Sequence, residues 1–481
     1  MAVRRTRVAP VPTGVLTASF AQLAQELELP EGFSADVLAE AEDAAGTVPV
    51  DPDAAGIADL RDIPLLTIDP VGAKDLDQAL HLERTADGAV LHYAIADIPA
   101  FVSAGGLVDL EARRRGQTLY APDRRIPLHP EVLSEDAVSL LPDADRRAFV
   151  WRFVLDEGAR PVETTLIRAT VRSRGQWSYR DAQQVLHRGE PPDALAALPW
   201  FGAQRMARES ERGGASLAVP EVEIEADDGH YRLRLRATRP VEEWNAQVSL
   251  LTGMAAAHIM LKGGVGILRT MPAAEPEDVS AFREQTVALG LPWPQGQTYG
   301  DYLRALPGDD PAALAVRDAA ATLFRGAGYA AFDGPAPDDP LQSAIAAPYT
   351  HTTAPIRRLV DRWSLVICEA LANERDVPAW ARESLPELPK LMGRSDQLAN
   401  RLENASVDRV EAAALRGHEG EVFRGTVLGM RSDGARVQLR RPPVSVKVAD
   451  LDAAPGSTAL LRLVRADVAT GEMAFAQVRE E

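Results

Sequence analysis

Residues 63–80 read IPLLTIDPVGAKDLDQAL and place three carboxylates directly after an apolar run. The apolar part predicts a short buried strand that ends in a turn at Asp69-Pro70. If the chain is extended from Asp75 to Asp77, the two-residue period of a strand puts both side chains on one face, and the turn brings Asp69 back toward them. Carboxylates this close repel one another, and a hard cation such as Mg²⁺ is the usual means of keeping them ionised. The residues alone leave a metal site and a solvated acidic loop equally open.

The composition is that of an ordinary globular protein. The chain has 481 residues, 46% of them hydrophobic and 25% charged, which leaves room for about three domains. The formal net charge is −18, so nucleic acid can bind only at local basic surface, because the overall field repels a polyanion. The single cysteine, Cys368, excludes an intramolecular disulfide and a cysteine zinc site, and its apolar neighbours indicate an inert core residue. The N-terminal sequence lacks an apolar signal region, and no stretch approaches the length of a membrane span, so we expect a cytoplasmic protein.

Three regions with different sequence patterns predict a multidomain protein. Residues 1–59 have apolar positions at helical spacing and predict a short helical N-terminal region, with a linker at 46–59. Its two helices indicate either half of a helix-turn-helix or, more commonly, a packing cap. Residues 60–415 show no comparable linker and predict one large catalytic domain of the α/β (mixed α+β) class. Residues 416–481 contain five short apolar segments separated by turns, which predict an all-β OB-type barrel whose usual ligand is single-stranded nucleic acid.

Two further segments indicate contact with phosphate. Residues 111–127 read EARRRGQTLYAPDRRIP, with five arginines around Tyr120. Arginines beside an aromatic ring are typical of a groove that grips a nucleic-acid backbone and stacks a base, although a solvated helix end with a core tyrosine fits equally well. Residues 348–363 read PYTHTTAPIRRLVDRW. A proline in the first helical turn would place Arg357 and Arg358 at a helix N-terminus, which is a natural phosphate site.

Together and in this order, these segments resemble the RNase II/RNase R (RNB) family of exoribonucleases. The resemblance covers most of residues 60–415, and the barrel after them is similar to the family's S1-type OB domain. It implies processive, metal-dependent hydrolysis of single-stranded RNA from the 3′ end, releasing nucleoside 5′-monophosphates, and we expect a monomer. The matching motifs are Asp69-Pro70 with AKDLD at 73–77, HYAIAD at 92–97, the segment from Arg115-Gly116 to Tyr120, and SLLP at 139–142.

The resemblance also implies a role for each candidate residue. The cofactor is Mg²⁺, with Mn²⁺ as the alternative, and such an ion lowers the pKa of a bound water and polarises the scissile phosphate. A guanidinium neutralises charge on the phosphoryl oxygens, and a carboxylate that accepts from the ribose 2′-OH selects RNA over DNA. Glutamates at a helix start also commonly complement the helix dipole. The implied residues are Asp69, Asp75, Asp77 and Gln78 for the metal, Asp77, Arg357 and Arg358 for catalysis, and Tyr120, Tyr179, Glu242 and Glu243 for RNA binding.

Three features depart from the family pattern. Gln78 stands where the family has a fourth acid, so a second metal should bind more weakly. Residues 214–221, GASLAVPE, lack the aromatic that often helps to clamp bases, and the 59 residues before the catalytic region are too few for two cold-shock barrels. These departures motivate an alternative, an RNA-binding or adaptor protein whose nuclease site has decayed. A phosphodiesterase acting on DNA or on a small nucleotide is a third hypothesis.

Overall fold

The computed structural model describes residues 11–215, 221–227, 230–236, 238–307, 310–323, 325–431, 434–440 and 442–478. Within these ranges it shows an N-terminal helical region, a large mixed α/β region and a C-terminal antiparallel barrel. The predicted fold class is therefore confirmed. No helix in these ranges is long and apolar enough to cross a membrane.

The N-terminal region begins with two helices joined by a turn. Leu16, Phe20 and Leu23 recur at helical spacing and form the buried face of the first helix. The Ser34 side chain caps the second helix by accepting a backbone amide hydrogen bond. Residues 46–59, which were expected to form a linker, instead include a short helix and a strand that joins the catalytic sheet. The elements are β1 (Val11–Pro12), α1 (Thr13–Glu26), α2 (Ala35–Thr47), α3 (Pro52–Ala55) and β2 (Ala58–Asp59).

A six-stranded sheet carries the predicted site. Its order is β2-β9-β3-β4-β5-β8, and an additional pairing of β8 with β9 closes it on itself, while β6 and β7 form a separate hairpin. The parallel pairing of β3 with β9 sets Asp69 opposite Ser178, so the helix that starts at Tyr179 begins beside Asp69. These strands are β3 (Leu65–Asp69), β4 (Gln78–Thr85), β5 (Gly88–Ala96), β6 (Leu119–Tyr120), β7 (Arg125–Ile126), β8 (Asp145–Leu155) and β9 (Pro161–Ser178).

Helices pack against this sheet and share its main core. Trp151 from the sheet, Met260 and Trp363 are fully buried there, and so is Cys368, as the sequence predicts. The helices are α4 (Leu107–Arg115), α5 (Tyr179–Arg188), α6 (Asp193–Ala196), α7 (Leu198–Arg212), α8 (Pro240–Gly263), α9 (Pro276–Ala288), α10 (Tyr299–Ala305), α11 (Pro311–Ala321), α12 (Leu359–Ala372), α13 (Ala379–Ser384) and α14 (Leu388–Leu415). Short strands complete the region: β10 (Glu221–Asp227), β11 (His230–Arg236), β12 (Val265–Thr270), β13 (Gly328–Asp333), β14 (Leu341–Gln342) and β15 (Ala347–Pro348).

The C-terminal barrel is a five-stranded antiparallel sheet in the order β18-β17-β16-β19-β20. Its edge strands β18 and β20 lie close together, so the sheet is nearly closed around a small apolar core. Arg436 of the barrel pairs with Asp318 of α11 at 2.6 Å, and the Ser445 amide donates to Glu411 of α14 at 3.0 Å. The strands are β16 (Val422–Arg431), β17 (Gly434–Leu439), β18 (Ser445–Val448), β19 (Thr458–Ala466) and β20 (Met473–Gln477), and they coincide with the predicted segments.

Candidate active site

One cavity brings together most of the predicted site residues. It has a volume of about 760 Å³ and lies where the acidic stretch meets the β6–β7 hairpin and the segment before α12. Its lining includes Asp69, Asp75, Asp77, Gln78, Tyr120, Tyr179 and Arg357, together with Lys74, Arg125, Glu131 and Glu135. Residues far apart in the sequence therefore form one acidic chamber with arginines and tyrosines at its walls.

The acidic loop is held by long-range hydrogen bonds. Residues 73–77 have no regular secondary structure and β4 begins only at Gln78, so Asp75 and Asp77 lie before the strand and not in it. The Ser139 hydroxyl instead accepts the Leu76 amide at 2.9 Å and donates to the Lys74 carbonyl at 2.5 Å. A serine from a distant segment thus shapes the loop and sets the directions of its carboxylates.

Asp77 and Asp69 are carboxylates in poorly solvated positions. Asp77 is only 3% exposed, accepts the Ile356 amide at 2.7 Å and pairs with Arg357, Oδ2 to Nε, at 3.4 Å. Burial raises the pKa of Asp77 to about 8, although the Arg357 guanidinium opposes this shift. Burial also raises the pKa of Asp69 to about 6, and its buried Oδ2 atom has no hydrogen-bond partner. A positive charge placed between them would stabilise both ionised carboxylates.

Asp75 already has a cationic partner. Its Oδ1 lies 2.6 Å from Nη1 of Arg125, and the other terminal nitrogen of this guanidinium contacts Glu135. Lys74 approaches Glu135 as well, at 3.3 Å. The acidic side of the cavity is therefore a network of alternating charges.

The oxygen donors of the cavity fit a hard cation in their chemistry. Asp69 offers an unpartnered buried oxygen, and Asp75 and Asp77 flank the same chamber. Gln78 donates its amide to the Thr353 carbonyl at 2.5 Å, so its own amide oxygen is the atom left for other partners. Across the described ranges no three acidic, histidine or cysteine side chains converge as a finished metal site. Arginines contact two of the carboxylates instead.

Arg357 and Arg358 occupy different surroundings. Helix α12 begins only at Leu359, so the predicted placement of both arginines in its first turns is wrong. Arg358 is extended and forms an isolated β-bridge with Gln117, which keeps this part of the chain out of the helix. The Arg357 side chain is 42% exposed and lines the cavity, whereas Arg358 pairs with the buried Asp361 at 3.4 Å. Arg357 is thus the one that a ligand in the cavity can reach.

Tyr120 lies at the cavity wall on the β6–β7 hairpin, directly opposite Arg125. It is 56% exposed, so the interpretation of this residue as a core tyrosine is wrong. The surrounding arginines do not form a simple basic groove, because each is paired with a carboxylate. The pairs are Arg113 with Asp109, Arg114 and Arg115 with Glu111, Arg124 with Asp123, and Arg125 with Asp75.

Tyr179 lines the cavity, whereas the two predicted glutamates, in the first turn of α8, are not among its lining residues. Glu242 accepts the Arg239 amide at 3.4 Å and pairs with its guanidinium at 3.1 Å, as a helix-capping residue does. Burial raises the pKa of Tyr179, and the charges of Asp69 and Glu242 add to this effect. Burial likewise raises the pKa of Glu243. Residues 216–220, where the sequence lacks the second aromatic, lie outside the described residues.

Comparison with known proteins decides the family. Residues 57–372 match the family model of the RNB domain. The chain belongs to the RNB family. After this RNB domain, residues 421–478 match the C-terminal S1 domain of RNase II-type exonucleases. The resemblance inferred from the sequence motifs is therefore confirmed.

Relatives of this RNB protein include enzymes and at least one protein described as inactive. Ribonuclease R of Escherichia coli is 26% identical over 414 residues, which are 80% of this chain and 50% of that protein. RNase R of Mycoplasma genitalium, solved with ribose-methylated single-stranded RNA, has a TM-score of 0.85 at 18% identity, covering 95% of this chain and 77% of that one. Yeast Ssd1, described as a pseudonuclease, has a TM-score of 0.63 at 16% identity, covering 95% and 55%. The chain thus spans half the length of the Escherichia coli relative, and the two structural matches show the fold alone.

Sequence reasoning missed several residues that shape the cavity. Arg125 and Glu135 were not singled out, although the five-arginine segment contains Arg125. Nothing in that segment tells which arginine faces Asp75. The amide of Ile356 has no sequence signal, since every residue except proline carries a backbone N–H. Ser139 lies in a matched motif, and its polar side chain inside an apolar run was the available signal.

Proposed function

We propose that the chain is a divalent-metal-dependent 3′–5′ exoribonuclease that degrades single-stranded RNA processively to nucleoside 5′-monophosphates. The observation that carries this proposal is the single cavity where three carboxylates, an exposed arginine and two tyrosines meet within an RNB domain. The names of its relatives, ribonuclease R among them, support the same class of activity. We further propose that it acts as a cytoplasmic monomer, with domains at 1–59, 60–415 and 416–481.

The residues of the cavity suit phosphodiester hydrolysis. Mg²⁺ or Mn²⁺ held by Asp69, Asp75 and Asp77 would supply an activated water and polarise the scissile phosphate. The Ile356 amide fixes the orientation of the Asp77 carboxylate. Arg357 stands half-exposed beside Asp77 and can neutralise charge on the phosphoryl oxygens. Arg358 is the second candidate for this role, and its guanidinium pairs with the buried Asp361.

The same cavity offers surfaces for the 3′ end of RNA. The exposed ring of Tyr120 can stack on a base, and Tyr179 lines the same cavity next to the end of the strand that carries Asp69. Glu242 and Glu243 lie at the start of α8, and the charge of Glu242 acts on Tyr179; a carboxylate there could accept a ribose 2′-OH and so favour RNA over DNA. The C-terminal barrel would hold the RNA that has not yet entered.

A labelled-RNA assay tests the proposal. We expect a 5′-labelled single-stranded RNA to be shortened progressively in Mg²⁺ or Mn²⁺, with no shortening in the presence of a chelator. Single-stranded DNA of the same sequence should survive, because it lacks the 2′-OH. Internal cuts, or equal degradation of DNA, would contradict an exoribonuclease.

A second candidate is an RNA-binding protein with a weakened nuclease site. Gln78 in place of a fourth acid and the structural similarity to the pseudonuclease Ssd1 favour it. In that case the purified protein would bind single-stranded RNA without shortening it in Mg²⁺ or Mn²⁺. Gln78→Asp, which restores the acid, would then be expected to raise hydrolysis.

A further inference from the structure

Arg125 bridges two carboxylates at the edge of the cavity. Its Nη1 contacts Asp75 at 2.6 Å and its Nη2 contacts Glu135, so one guanidinium serves two acids. The side chains of Arg125, Asp75 and Glu135 are 22%, 12% and 16% exposed, which shields these contacts from water. Charge-assisted contacts of this kind are stronger than those on an open surface.

The position of Arg125 is set by the fold. It lies on β7, where it pairs with Tyr120 on β6, and Ile126 beside it is buried. Glu135 lies in a single helical turn of the π type, Leu133–Ala137, that faces the acidic loop. Arg125 and Glu135 are therefore both held by elements of regular structure, a strand and a helical turn.

Arg125 and a divalent cation would compete for the carboxylate of Asp75. A cation ligated by Asp75 would face the positive guanidinium at close range, and two positive charges on one carboxylate repel each other. Glu135 offers Arg125 a second carboxylate that it already touches, so the guanidinium can leave Asp75 without losing all of its charge partners. The missing fourth acid at Gln78 makes this competition more important, because fewer carboxylates remain to attract the cation.

We propose that Arg125 is a positioning residue that controls access of the divalent cation to Asp75, with Glu135 as the partner that takes the guanidinium when the cation binds. This inference rests on the proposed metal-dependent function. It assigns Arg125 to metal loading and not to the hydrolytic step itself.

The test measures metal binding without turnover. Free Mn²⁺ is followed by electron paramagnetic resonance during titration of the full chain, for the wild type and for Arg125→Met. Removing a charge-assisted contact that competes with the metal should tighten Mn²⁺ binding about tenfold. Lys74→Met is the matched control, because it removes a positive charge from the same cavity at a side chain that pairs with Glu135. We expect the control to change the Kd by less than about twofold.

Glu135→Gln gives an opposite and independent result. With Glu135 neutral, Asp75 is the stronger partner for Arg125, so Mn²⁺ should bind more weakly than in the wild type. In the Arg125→Met background the same change should have almost no effect, because Glu135 acts through Arg125. A thermal unfolding midpoint for each variant shows that it is folded.

The outcomes separate the two proposals. If the wild type and Arg125→Met both fail to bind Mn²⁺, the metal-dependent function fails and this inference falls with it. If the wild type binds Mn²⁺ and Arg125→Met binds no more tightly, or no more tightly than Lys74→Met, only the role of Arg125 is overturned. An effect of Glu135→Gln that persists in the Arg125→Met background also overturns it.

Discussion

The acidic cavity and the C-terminal barrel differ in the sequence separation of the residues that form them. In the barrel, β16 pairs with β17, the next strand in the sequence, and β19 pairs with β20, the next strand after it. In the cavity, the carboxylate of Asp77 is oriented by the amide of Ile356, and the backbone of Leu76 by the hydroxyl of Ser139. Neighbouring strands thus form two of the barrel's pairings, although β16 also pairs with the distant β19. The site depends throughout on residues that are far apart in the sequence.

The two regions also differ in how deeply their charged side chains are buried. Arg465 and Asp467 at the barrel surface are 58% and 30% exposed, and such a pair contributes little to stability. Asp77 and Asp361 in the catalytic region are almost fully buried and each depends on an arginine or backbone amide. Substitutions in the cavity should therefore have large and distinct effects, and those at the barrel surface small ones.

The largest expected contrast lies between two adjacent arginines. Arg357→Met should lower kcat/KM for RNA about 100-fold, because it removes a guanidinium aimed at the phosphate. It should lower stability less than Arg358→Met does, because the Arg357 side chain is 42% exposed and that of Arg358 only 17%. Arg358→Met should lower the free energy of unfolding by about 3–5 kcal/mol, because it leaves the buried Asp361 with backbone amides but without its guanidinium partner. Urea unfolding measures the stability of each variant, and rates on labelled RNA measure its activity, so the two experiments together distinguish a structural arginine from a catalytic one. Equal loss of rate in a fully stable Arg358→Met would instead make both arginines catalytic.

A smaller effect is expected at the cavity wall. Tyr120→Ala should raise KM about tenfold with little change in kcat, because stacking on one base is worth about 1–3 kcal/mol. Tyr120→Phe is the matched control, and it should behave like the wild type since it keeps the ring. Steady-state kinetics on a single-stranded RNA checks both variants. If Tyr120→Phe were as impaired as Tyr120→Ala, the hydroxyl and not the ring would be the important group.

A third effect, on stability alone, is expected where the barrel meets α14. Glu411 is 1% exposed and accepts the Ser445 amide, and burial raises its pKa to about 8. The folded protein therefore holds one more proton than the unfolded chain between the ordinary pKa of a glutamate and about 8, so stability falls as pH rises through this window. Glu411→Gln keeps an acceptor for the amide and cannot ionise.

Urea unfolding at pH 5 and pH 8 tests this prediction. The wild type should lose about 1–3 kcal/mol relative to Glu411→Gln between the two pH values. A difference that does not change with pH would mean that Glu411 is already ionised in the fold.

The sequence separation of the contacts explains which parts of the fold and of the site could be predicted from the sequence. The barrel strands and the first two helices follow from local periodicity, and the strand ending at Asp69 follows from its apolar run. The acidic loop could not be derived in the same way, because Ser139 holds residues 73–77 in an irregular path. The start of α12 was missed for a similar reason, since the bridge from Gln117 keeps Arg358 extended. Motif order identified the family, and only the folded chain shows that Arg125 faces Asp75.

The central claim is that the acidic cavity hydrolyses RNA at its 3′ end. The most direct measurement is chromatography of the products released from single-stranded RNA in Mg²⁺ by the wild type and by Asp77→Asn, with RNA binding measured in parallel. Asn is nearly isosteric with Asp77 and cannot supply the carboxylate. We predict nucleoside 5′-monophosphates from the wild type, and from Asp77→Asn a rate at least about 100-fold lower with RNA binding retained. Undiminished release of monophosphates by Asp77→Asn would contradict the account.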